Sequence, residues 1–171
     1  APSMAWANHR ISMMNPDACV IATPSDQAIF NEEAFRENVL KGLAFVAEND
    51  RFLTMGVKPT RPEPGYGYIQ MGDAFFDNMY QVQSFTEKPE RDFAKIFVES
   101  GEFYWNTGLF VSNVKHLREC FCKILPPVLR DYDKLYPEFS IETENAYMKE
   151  SFSSYPNISV DFGILEKPSN V

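Results

Sequence analysis

Two short apolar runs with one amphipathic helix between them constrain this chain more than any other feature. Ala18-Cys19-Val20-Ile21-Ala22 is apolar at every position and partly β-branched, which suits a strand buried on both faces. It stops at Thr23-Pro24-Ser25-Asp26. A helix is predicted from Asn31 as N-cap, with Glu32 and Glu33 in its first turn and Phe35, Val39, Leu40, Leu43 and Val46 on one face. Arg51 to Val57 reads as the next strand. Strand, helix and strand in that order imply a right-handed crossover and a parallel pair, so the expectation is an α/β fold on a mainly parallel mixed sheet.

The remaining elements follow from similar signals. Pro2 fits the first turn of an opening helix, as though the chain began inside a structure. Between Lys58 and Gly67, three prolines and two glycines forbid regular structure and predict a stiff, exposed loop, a common place for ligand binding. Residues 79–86 alternate as a strand, and a helix follows with Phe93, Ile96 and Phe97 on its apolar face and Gly101 at its end. Tyr104 to Val114 predicts another buried strand, broken at Asn106-Thr107-Gly108. Helical stretches are expected over 115–125, around Asp131 beyond Pro126-Pro127, and near 142–152.

Length and charge limit what such a fold can do. With 171 residues and 44% hydrophobic content, the chain fits one domain with a sizeable core. A formal charge of −8 has the wrong sign for nucleic acid or an anionic membrane surface, and no apolar run approaches the roughly 20 residues that cross a bilayer. Three cysteines, Cys19, Cys120 and Cys122, lack structural-zinc spacing and suit a reducing, cytoplasmic setting, with core filling as their expected use. His9 and His116 lie far apart, which points to surface or helix positions and gives no metal cluster or Ser-His-Asp arrangement. No glycine-rich nucleotide cradle appears in these residues.

Several constellations remain as candidates for chemistry. Asp26 follows the carboxyl end of a predicted strand, where a carboxylate reaches a hard cation or caps a turn beside Ser25. Glu87-Lys88-Pro89 offers an acceptor for sugar hydroxyls and a point charge for phosphate, or a solvated ion pair at a helix start. The same Glu-Lys pair recurs at Glu166-Lys167. Tyr66 between Gly65 and Gly67 marks either a close backbone approach to a ligand or a tight turn. Asn106 and Thr107 interrupt an apolar strand and need partners, from backbone, water or ligand.

The segment from Thr54 to Ile69 (TMGVKPTRPEPGYGYI), read with Phe85-Thr86-Glu87-Lys88-Pro89, closely resembles the bacterial mannose-1-phosphate guanylyltransferases. Pro24-Ser25-Asp26, Trp105-Asn106-Thr107-Gly108-Leu109-Phe110 and the segment Ser159 to Lys167 occur in that family's order, so the resemblance spans nearly the whole chain. It implies a Rossmann-like α/β/α fold, incomplete at its N-terminus, that makes GDP-mannose and pyrophosphate from GTP and mannose 1-phosphate with Mg²⁺. By resemblance, Asp26 belongs to the nucleotide and metal site, and Tyr66, Gly67, Glu87, Asn106 and Thr107 to the sugar pocket. Lys88 falls near the sugar phosphate, and Asp161 and Lys167 line the same pocket.

Gln27 departs from the family's histidine at that position. The family's phosphate loop and its C-terminal end lie outside these residues, so 1–171 is expected to be a partial catalytic domain, inactive alone. The other readings are a non-catalytic sugar-phosphate module, or a nucleotidyltransferase for another hexose 1-phosphate. Homo-oligomerisation through an exposed sheet edge is also expected as an option.

Overall fold

In the computed structural model the described residues are 1–134 and 140–165. The element order is α1 (Pro2–Met14), β1 (Cys19–Ala22), α2 (Glu32–Glu48), β2 (Phe52–Val57), β3 (Tyr68–Phe76), β4 (Met79–Thr86), α3 (Arg91–Ser100), β5 (Phe103–Asn113), α4 (Val114–Ile124), α5 (Pro126–Lys134) and α6 (Ile141–Ser151). A 3₁₀ turn (Phe152–Ser154) and a short π-helical turn (Asp161–Leu165) follow.

Local signals act where the sequence places them. Pro2 opens α1, and the Ala34 N–H donates to Asn31 Oδ1 at 3.1 Å, capping α2 above Glu32 and Glu33. α3 ends on Gly101 at φ +74°, a left-handed cap that glycine enters without steric cost. Phe97 on α3 stacks on Phe103 at 4.1 Å between centroids and also meets Tyr68, whereas Phe93 and Ile96, expected on its buried face, are exposed.

β5 organises the sheet. Its residues 110–113 pair with β1 on one edge, and β2 pairs along the opposite edge from Ser112 to Trp105. β3 takes the start of β5 through Tyr68↔Trp105, and β4 completes a hairpin with β3. Every one of these pairings is antiparallel, which corrects the expectation of a mainly parallel sheet. β1 and β2 do run in the same direction, as a strand–helix–strand unit requires, but β5 lies between them. The interruption expected at Asn106-Thr107-Gly108 is not a break either: β5 runs through it, with Gly108 at φ +71°.

Alternate residues of β5 serve two layers, as the two-residue strand period dictates. Leu109 and Val111 join Phe45 and Val46 under α2. Phe110 joins Phe52 and the apolar faces of α4 and α5, including Leu117, Phe121, Val128 and Leu129. Helices therefore cover both faces of the sheet, the three-layer α/β/α arrangement that was expected.

Both histidines are helical, as expected, but buried rather than at the surface. Burial foremost holds each imidazole below its ordinary pKa. Cys120 fills core beside His116, with Sγ 3.6 Å from Nε2, and its thiol is pushed up by burial, whereas Cys122 is exposed. No helix among the described residues is long and apolar enough to cross a membrane.

Candidate functional site

The site is assembled by β-register. Tyr68↔Trp105 sets Gly67 beside Asn106, whose backbone N–H donates to the Gly67 carbonyl at 2.8 Å. Tyr68↔Thr86 carries Glu87 to the same place from the other side of the hairpin. The closeness is measurable at Gly67, where an added Cβ would lie 2.7 Å from Glu87 Oε2 and 3.0 Å from the Phe85 ring. Only glycine allows that approach without displacing the carboxylate.

Asn106 is the hub. Its Oδ1 accepts from Thr54 Oγ1 at 3.0 Å and from the Gly108 N–H at 3.2 Å, and its Nδ2 donates to Asp161 Oδ1 at 2.6 Å. Asp161 thus reaches the centre of the sheet from the end of the described chain. Thr107 donates its hydroxyl to the Met55 carbonyl at 2.8 Å, while its own carbonyl accepts from Gln27 Nε2 at 2.6 Å.

The loop after β1 is pinned by the same strand. A Cβ on Gly108 would lie 3.3 Å from Pro24 Cγ, and Gln27 is tied to Thr107. Asp26 sits exposed on the turn between these two fastened residues. Lys88 extends into solvent with Nζ 3.3 Å from Glu87 Oε1, and its backbone is left-handed at φ +46°, a conformation costly for a non-glycine residue and found at ligand-binding positions. Such an exposed pair contributes little to stability, so the ammonium is available to a phosphate.

Tyr66 meets the Trp105 ring edge-on at 5.2 Å, and the Arg61 guanidinium lies 5.5 Å from the Trp105 ring centroid. Arg61 also pairs with Glu63 at 3.2 Å, and Glu63 accepts from the Gly65 N–H. The proline-rich loop is therefore strapped down over Trp105. Contiguous contacts connect Gly67, Glu87, Lys88, Asn106, Thr107, Asp161 and the Asp26 turn, and Tyr66 adjoins them through Trp105. Lys167 lies outside the described residues.

Thr54, Arg61 and Trp105 were not singled out by sequence reasoning, although all three lie in the quoted motifs. Their part is tertiary, and only the partner strand reveals it. A cleft of about 570 Å³ lies elsewhere, between α2, β2 and the β3–β4 hairpin. Its floor includes Leu53, Met55, Val57, Leu109 and Val111, and it contains none of Gly67, Glu87, Asn106 or Asp161. Polar groups converge at Asn106, so chemistry is better supported there.

Among the described residues no three His, Cys, Asp or Glu side chains group as a metal site. Asp26 offers one exposed carboxylate on its turn, an oxygen donor of the kind a divalent metal takes.

The chain is similar to known proteins over most of its length. The family model described as nucleotidyl transferase matches residues 1–137. The xanthan biosynthesis protein XanB of Xanthomonas campestris pv. campestris (strain B100) is 32% identical over 171 residues, covering 99% of this chain and 36% of the relative. A mannose-1-phosphate guanylyltransferase of Sinorhizobium fredii is 32% identical over 155 residues, covering 90% of this chain and 30% of the relative. The crystal structure of a protein titled mannose-1-phosphate geranyltransferase from Thermus thermophilus superposes with a TM-score of 0.84 at 26% identity, over 99% of this chain and 48% of that one. The chain thus spans about a third of the length of these curated relatives, and across that span it belongs to the nucleotidyl transferase family.

Proposed function

We propose that this chain forms the sugar-phosphate side of a mannose-1-phosphate guanylyltransferase, the enzyme that joins GTP and mannose 1-phosphate into GDP-mannose and pyrophosphate. The observation that carries this reading is the convergence of Gly67, Glu87 and Asn106 at one polar cluster. Glu87 accepts from sugar hydroxyls, and the Asn106 amide donates to one. Gly67 lets the Glu87 carboxylate close onto the strand beside Asn106. Tyr66 and Thr107 border the site, and Asp161 completes its lining among the described residues.

Lys88 neutralises the sugar phosphate while one of its oxygens attacks the α-phosphorus of GTP in line with departing pyrophosphate. The protein's share of this reaction is placement and charge compensation rather than covalent chemistry. Asp26 is the residue that would hold Mg²⁺, which when bound neutralises charge on the nucleotide phosphates. Local cations offset the chain's net charge of −8. Three free cysteines suit a cytoplasmic setting.

Binding is the direct test. Titrating mannose 1-phosphate into the ¹⁵N-labelled chain is expected to shift the Gly67 and Asn106 backbone signals saturably. Glu87→Gln is expected to weaken the binding about tenfold, the equivalent of one charge-assisted hydrogen bond. Absence of saturable shifts in the unaltered chain, or shifts confined to the α2 cleft, would remove the reading.

A further inference from the structure

A carboxamide can present either its oxygen or its N–H groups to a ligand, and the two are exchanged by a half-turn. At Asn106 the neighbours decide which. The Gly108 N–H can only donate, so the atom 3.2 Å from it is Oδ1. The Asp161 carboxylate accepts, so the atom 2.6 Å from it is Nδ2. Thr54 Oγ1 lies 3.0 Å from Oδ1 and in that arrangement acts as donor.

The two lone pairs of Oδ1 are thereby filled, one by backbone and one by a side chain. Of the two Nδ2 hydrogens, one goes to Asp161 and the other has no partner among the described residues. Thr54 reaches Asn106 because the β2–β5 register slips: Thr54 pairs with Phe110 but Gly56 with Asn106, a shift between residues 54 and 56. Irregularities of this kind re-aim side chains beside functional sites.

We propose that Thr54 is a positioning residue for this site: its hydroxyl holds the Asn106 carboxamide with only N–H turned toward the hexose. The inference rests on the hexose-phosphate reading and adds a residue and a polarity to it. The sugar atom that meets Asn106 accepts a hydrogen bond, while its neighbour at Glu87 donates one. Without the Thr54 hydroxyl, a half-buried lone pair on Oδ1 loses its partner, and the carboxamide is held by Gly108 and Asp161 alone.

The experiment compares the unaltered chain with Thr54→Val and Thr54→Ser, reading two quantities. The first is the Asn106 side-chain amide pair in ¹⁵N correlation spectra, assigned by its disappearance in Asn106→Ser. The second is affinity for mannose 1-phosphate. T54V is expected to move or broaden the amide pair and weaken binding about tenfold, and T54S to restore both to within about twofold. Thr54→Ala serves the same purpose should the valine variant fail to fold.

An unchanged amide pair and affinity in T54V would overturn the proposal. Equal damage in T54S would do so too, since it would assign the effect to the methyl group. Failure of the unaltered chain to bind overturns the hexose-phosphate reading together with Thr54's part in it. Normal binding with an indifferent T54V overturns the second alone.

Discussion

At the scale of single residues, Gly67 is the most sensitive position in the site. A methyl group there must displace the Glu87 carboxylate at 2.7 Å or the half-buried Phe85 ring at 3.0 Å. Gly67→Ala is expected to cost about 1–3 kcal/mol in chemical denaturation, the usual range for overpacking, and to weaken mannose 1-phosphate binding at least as much as loss of the Glu87 charge. A variant as stable and as tight-binding as the parent would show that the contact between Gly67, Glu87 and Phe85 has slack. Gly67, Glu87 and Asn106 were legible in the sequence because glycine beside aromatics, a carboxylate at a strand end and a polar interruption of an apolar run are each locally odd. Thr54 and Gln27 were not: a threonine in a strand is ordinary, and a glutamine in a turn shows nothing of a carbonyl eighty residues away.

Among the elements, α1 carries a pH-dependent cost. His9 is buried, sits 5.7 Å from the Tyr132 ring, and has neither ring nitrogen hydrogen-bonded among the described residues. Burial and the nearby Arg118 hold its pKa below the ordinary 6.5, against the opposing pull of Asp133 and Glu144. Because the folded pKa is the lower one, the folded state disfavours the proton. The stability supplied by neutral His9 is complete above about pH 6.5 and is lost as the pH falls through that value toward the folded pKa. His116 on α4 adds to the same slope, since its burial, reinforced by Lys123 and Arg51, outweighs the pull of Asp50 and Glu119.

The midpoint of urea unfolding is therefore expected to fall between about pH 7 and about pH 5.5, and His9→Gln to flatten part of that fall. An identical slope in the variant would assign the effect elsewhere. Elements also mark where sequence reading stopped. β1, α2, β2 and β4 were legible from periodicity and caps. β3 was not, because its second half is exposed and its pairing with β4 slips three times, so alternation is lost. The parallel pair was misjudged for a different reason: nothing within residues 18–57 signals that a later strand will enter between β1 and β2.

For the molecule as a whole, that late strand is the condition for everything before it. β1 and β2 have no other partner among the described pairings, and both layers of side chains under the helices need Leu109, Phe110 and Val111. A chain ended at Ser100 is accordingly expected to show no cooperative transition in urea, although α2 and the β3–β4 hairpin remain in its sequence. A sharp two-state curve from that truncation would mean that residues 1–100 form a unit of their own. Exposed Phe75, Phe76 and Tyr80 near the hairpin tip make light scattering a necessary companion measurement.

The central position of β5 also sets a timetable. Cys19 meets Asn113 and Phe52 meets Ser112 across long stretches of chain, so most of the sheet's ladder depends on distant pairings that form slowly. On a ribosome, β1 and β2 emerge before β5 and lack this partner while some fifty further residues are synthesised behind β2. Until the eleven residues of β5 arrive, the edges it will cover are open to whatever else the cell presents, and a chaperone that shields extended apolar segments would meet this protein in that interval.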